Sequence, residues 1–134
     1  IEVITFGSGG PVGRFDPAQG TYCLGIGLII SQNIATPQRP IVFLNFSVTV
    51  LSITFANGTE VRPLASWSTY YYTQALTATD TSQTYKGVAT FGPFNDRPTG
   101  AKMRVTVFVL VDGVVSPYVR EYDSTTLEMT TGTC

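Results

Sequence analysis

The sequence predicts an all-β protein, an antiparallel β-sandwich with an N-terminal extension strand, and three observations carry that expectation. No stretch keeps apolar residues at helical spacing for three turns. Short strand-like runs recur along the chain with Gly, Pro and Asn between them, the pattern of a sandwich or barrel rather than a βαβ fold. Two dipeptides, Asn57-Gly58 and Asp112-Gly113, each sit between such runs and read as two-residue hairpin turns, because type I′ turns need positive φ at both central positions. With 134 residues the chain is of ordinary size for one domain. The pattern divides it into residues 1–20, a strand and a Gly/Pro-rich linker, and residues 21–134, a single sandwich domain.

Taken in order, strands are expected at 2–7, 21–31, 41–50, 51–56, 59–63, 67–78, 84–91, 102–111, 114–122 and 125–130. The first is apolar on both faces, Ile1 and Val3 on one and Ile4 and Phe6 on the other, so it expects cover on both. Residues 7–20 hold five Gly and two Pro and read as a linker that reaches far and packs weakly. Residues 24–30, LGIGLII, form the longest apolar stretch, short of the roughly 20 residues of a membrane span. In IVFLNFSVTVLSITF the apolar residues are even up to Val50 and odd from Leu51 onward. Strand side chains alternate with period two, so the flip requires a bulge or bend near Val50 and Leu51, where a strand is able to pass from one sheet to the other. The pairs SITFA with TEVRP and RVTVFVLV with VVSPYVREY then flank the two hairpin dipeptides.

Only 13% of residues are charged, against 43% hydrophobic, and the formal net charge is −1, so the surface is hydroxyl-rich rather than ionic. The eight basic residues are scattered singly, which disfavours nucleic acid as a partner. The chain begins with Ile rather than Met, as after removal of a leader peptide. Cys23 and Cys134 form an even pair and are read as a disulfide, the alternative being two buried thiols. Asn45-Phe46-Ser47 and Asn57-Gly58-Thr59 fit the N-glycosylation acceptor pattern, which has value only in an exported chain. Asn45 shares a strand face with Ser47 and Thr49, opposite the apolar set; Asn57 lies at a hairpin tip, where turn chemistry alone also accounts for it. Together these features place the protein outside the cell or on its surface.

The chemistry of catalysis is missing. There is no histidine, which removes Ser-His and Cys-His machinery, His-ligated zinc and the commonest general base. Asp80, Asp96 and Asp112 read as turn residues. Glu121 and Asp123, two apart on one strand, are a weak candidate for calcium without the signature of a calcium loop. GSGGPVG follows a strand but has the wrong spacing for a phosphate cradle, and Pro11 and Pro17 preclude the helix it needs. No enzyme, cofactor or metal is expected. The cluster WSTYYYTQ puts Trp67, Tyr70, Tyr71 and Tyr72 on one strand, with rings on both faces; it reads as core plus interface, or else as a sugar-stacking platform.

The layout of IEVITF, the GSGGPVG linker and the β-domain that follows resembles extracellular pilin subunits that assemble by donor-strand complementation, including the glycosylated thread-like pili of archaea. The resemblance is one of arrangement, and the C-terminal Cys departs from the bacterial fimbrial pattern. It implies an Ig-like, Greek-key sandwich, a head-to-tail homopolymer with other copies as partners, and Ile1, Val3, Ile4 and Phe6 as donor residues. The expected function is therefore a structural subunit of an extracellular filament or surface layer. A secreted carbohydrate-binding or adhesive module is the second reading, and a virion coat or spike domain the third. The residues equally allow the first strand to fold back onto its own domain.

Overall fold

The computed structural model describes the backbone of residues 3–33, 41–62, 66–69, 73–74, 82–111 and 114–134, and the side chains of 8–29, 46–62, 87–108 and 114–134. Within them the chain is all-β, in two sheets that are largely antiparallel. The strands are β1 (Val3–Gly7), β2 (Val12–Asp16), β3 (Thr21–Asn33), β4 (Ile41–Phe55), β5 (Glu60–Val61), β6 (Ser66–Thr69), β7 (Thr73–Gln74), β8 (Ser82–Phe94), β9 (Pro98–Val111), β10 (Val114–Ser124) and β11 (Met129–Thr131). Sheet one runs β11-β2-β3-β8-β7 with β1 also on β3, and sheet two runs β10-β9-β4-β5 with β6 also on β4.

The core lies between the inner faces. Leu24, Ile26 and Leu28 of β3 and Ala89 and Phe91 of β8 meet Phe46, Val48, Val50 and Ile53 of β4 and Ala101, Met103, Val105 and Val107 of β9. In β9 the buried odd positions alternate with exposed Lys102 and Arg104, the period-two pattern of a sheet with one wet face. Each large side chain so buried contributes about 1.5–3 kcal/mol of transfer free energy.

The phase flip in β4 has its predicted cause. Val50 pairs with Met103 and Ser52 with Lys102, so Leu51 is an extra residue, a bulge that returns Ile53 to the core. The bulge does not move the chain between sheets. β4 pairs with β9 from Ile41 to Phe55, and it is the 67–78 segment that divides, β6 joining sheet two and β7 sheet one.

The Asn57-Gly58 hairpin closes differently from a two-residue turn. Phe55 donates its N–H to the Thr59 carbonyl, and Gly58, at φ 87°, donates to Phe55, which leaves a three-residue loop. The Asn57 side-chain oxygen takes the Thr59 N–H at 2.9 Å, and that contact favours the longer loop over a type I′ turn. Asp112 and Gly113 lie outside the described residues; the strands they join pair from Val111 opposite Val114.

The larger correction concerns the linker. Residues 12–16 are not linker but β2, an interior strand with β3 antiparallel on one side and β11 parallel on the other. Gly13, taken as a sign of looseness, sits there because Met129 lies across it: a Cβ at 13 would be 2.6 Å from the Met129 Cε. Asp16 closes the β2–β3 turn, its buried carboxylate accepting the N–H groups of Ala18 and Gln19.

Candidate functional site

The ends of the chain meet on sheet one. β8 borders β3 along Tyr22–Asn33, so β1, opposite Ile29–Asn33, and β2, opposite Thr21–Gly25, share the other flank of β3. They line one flank of β3, with only Ser8–Pro11 between the two strands. The lower half is clamped: Gly13 donates to Glu128, Gly132 to Phe15, the Arg14 guanidinium to the Thr133 carbonyl, and Cys134 N–H to the Asp16 carboxylate. Cys23 and Cys134 form a disulfide that closes 111 residues of sequence and carries the C-terminal residues onto β3. Among the described residues the upper half, β1, pairs with β3 alone.

The expected donor residues Val3, Ile4 and Phe6 lie on this strand at register positions opposite Asn33, Gln32 and Ile30, and Ile1 lies outside the described residues. In the single chain the strand pairs with its own domain. The register is uninterrupted from Val3 opposite Asn33 to Gly7 opposite Ile29, and neither segment holds a charged residue. The free edge of sheet two contrasts with it. There β10 carries Pro117, Arg120, Glu121 and Asp123, residues that discourage a further strand from pairing.

The other expected sites resolve unevenly. Asn57 is exposed at its hairpin tip, with its N–H donated to the Asp96 carboxylate at 3.0 Å. Asn45 lies within β4 opposite Phe108, and Trp67 within β6 opposite Val48. Tyr70, Tyr71, Tyr72, Asp80 and Asp112 lie outside the described residues. Glu121, the weak calcium candidate, accepts from the Arg104 guanidinium at 3.0 Å and faces the Lys102 ammonium at 3.7 Å. Among the described residues no group of three metal-ligating side chains converges, and no helix is long and apolar enough to cross a membrane.

Sequence reasoning missed the outer face of sheet one. Gly25 and Gly27 of β3 floor a trough of about 210 Å³, walled by Val12 and Arg14 on one side and Val88 and Thr90 on the other. The alternation Gly-Ile-Gly within an apolar run was the available signal.

No family model matches the sequence, and no curated relative does. Among solved structures, a crystal structure carrying the ApaA name, from Bordetella pertussis, aligns over 96% of this chain and 94% of that one, with a TM-score of 0.49 at 13% identity. No functional conclusion follows from a likeness of that size.

Proposed function

We propose that the protein is a structural subunit of an extracellular filament, polymerising head to tail by donating β1 to β3 of the next copy. The observation that carries this reading is the unequal hold on the two strands that share one flank of β3. β2 is locked between β3 and β11, and the disulfide ties the C-terminal residues beyond β11 to β3, whereas among the described residues β1 pairs on one side only and hangs from four residues, two of them glycine. Exchange of β1 between copies remakes the same five register pairs, so the exchanged and folded-back states differ little in contacts. A short connection between a strand and its body also favours exchange. Head-to-tail donation is heterologous, and where its rotation does not close it extends into a fibre.

Two further features support the setting. A disulfide suits an exported chain. The strand orders β2-β3-β8-β7 and β10-β9-β4 parallel the two sheets of an Ig-like sandwich, the fold this reading takes for the subunit. Asn57, exposed at a loop tip, is the acceptor the reading assigns to a glycan.

The test is a pair of cysteines at one register position. Thr5→Cys with Ser31→Cys joins β1 to whichever β3 it occupies. Donation gives a ladder of covalent multimers on a non-reducing gel, lost when residues 1–7 are deleted. Monomer bands alone, from protein at concentrations where fibres are sought by electron microscopy, overturn the proposal.

A further inference from the structure

We infer that the glycine-floored trough on the outer face of sheet one seats the body of the neighbouring subunit, the copy that donates β1; the inference rests on the filament reading. Gly25 and Gly27 lie within the long strand β3, where glycine weakens a strand and marks a bulge or a close approach. Among the described residues no close contact requires either of them. A Cβ at Gly27 would meet nothing within 4 Å, and at Gly25 it would meet only the Ala89 carbonyl at 3.5 Å, an ordinary contact. Other glycines of sheet one are explained internally, Gly13 by Met129 and Gly92 by Cys23. The missing side chains at 25 and 27 therefore leave room for something outside the chain.

Beside the trough the surface is apolar and bare. Val88, in register with Gly27, is 63% exposed, and Ile29 is 51% exposed. The position of this patch decides its occupant. Gly7 of the donated strand pairs with Ile29, and five chain steps separate it from Val12, where the locked strand of the donor begins. Those steps span about 17 Å at full extension. The donor's folded body is thus held beside Ile29, Val88 and Gly27 of the copy that receives its strand. A second copy brought there by its own tether covers the exposed apolar side chains, and the absent Cβ atoms let its surface come close to the sheet.

Two variants test this in the Thr5→Cys, Ser31→Cys chain: Gly27→Arg, which fills the trough, and Val88→Glu, which charges its wall. Both are expected to melt within a few degrees of the parent as monomers, because neither position packs against the chain. Both are expected to raise the concentration at which fibres form by roughly tenfold or more. If a folded variant forms fibres and covalent ladders at the parent's concentration, the seat is wrong and the donated strand stands. If the parent itself yields no ladder, the filament reading fails and the seat fails with it.

Discussion

Gly92 and Gly27 both lie in sheet one, and the two call for opposite responses to the same substitution. Gly92 has φ 140°, a backbone conformation L side chains rarely adopt, and a Cβ there would sit 3.1 Å from the Tyr22 carbonyl and 3.1 Å from the Cys23 Cβ. Two residues of β8, Gly92 and Pro93, face the single residue Cys23 at this point. The missing side chain lets β8 pass the disulfide. Gly92→Ala is expected to cost about 1–3 kcal/mol, combining backbone strain with overpacking against groups that do not give way. Gly27→Ala meets open space in ordinary strand backbone and is expected to stabilise the monomer by about 0.5–1 kcal/mol, since alanine loses less backbone entropy on folding. Urea denaturation of the two variants checks both signs; a neutral Gly92→Ala would mean that β8 shifts freely at Cys23.

At the level of elements, the β4 bulge makes a different demand. Deleting Leu51 would remove the extra residue and leave Val50 opposite Met103, Ser52 opposite Lys102 and Ile53 opposite Ala101, so that Ile53, 3% exposed, stays on the core face. The expected loss is at most about 2 kcal/mol, because the core pairs are kept and only the half-buried Leu51 is lost; a larger fall of the midpoint in urea would show that the local bend itself holds the two sheets in place. This bulge was readable from the sequence because its signal is local, a change of parity inside one run of apolar residues. The same holds for the β9 alternation and for the two-sided apolar character of Val3–Phe6. β2 was not readable, because what makes Gly13 a strand residue is Met129, and the ladder that pairs them joins residues over a hundred positions apart. The candidate site inherits that blind spot: its strand was visible, but a four-residue hinge looked like a fourteen-residue cord. The crossing between sheets was misplaced for a related reason, since a bulge and a change of sheet leave the same mark on side-chain parity.

For the molecule as a whole, the disulfide fastens the C-terminal residues to β3 beside β2, the strand that stays behind in the proposed exchange. Without it, β2 is held to the C-terminal residues by hydrogen bonds among the described residues: the short β11 ladder, the Gly13–Glu128 and Gly132–Phe15 bonds beside it, the Thr130 hydroxyl on the Gly13 carbonyl, the Arg14 contact to Thr133 and the Asp16 contact to Cys134. With it, the unfolded chain is also constrained, because the bridge closes 111 residues. In the chain-entropy account a loop of that length is worth about 5 kcal/mol, and native bridges typically give about 2–5 kcal/mol. Cys134→Ser is therefore expected to lower the unfolding free energy of the full chain by about 2–5 kcal/mol. Part of the loss arises in the denatured state, which becomes more expanded, so the slope of the free energy against urea should rise as the midpoint falls. Assembly should respond differently from stability. β1 and its Ile29–Asn33 partner lie beyond the clamp, so the Thr5–Ser31 cross-link should still form between copies in the Cys134→Ser chain. A variant that loses stability but keeps its ladder assigns the disulfide to holding the subunit together. A variant that loses the ladder while still folded would mean that the clamp on β2 is what frees β1 for donation.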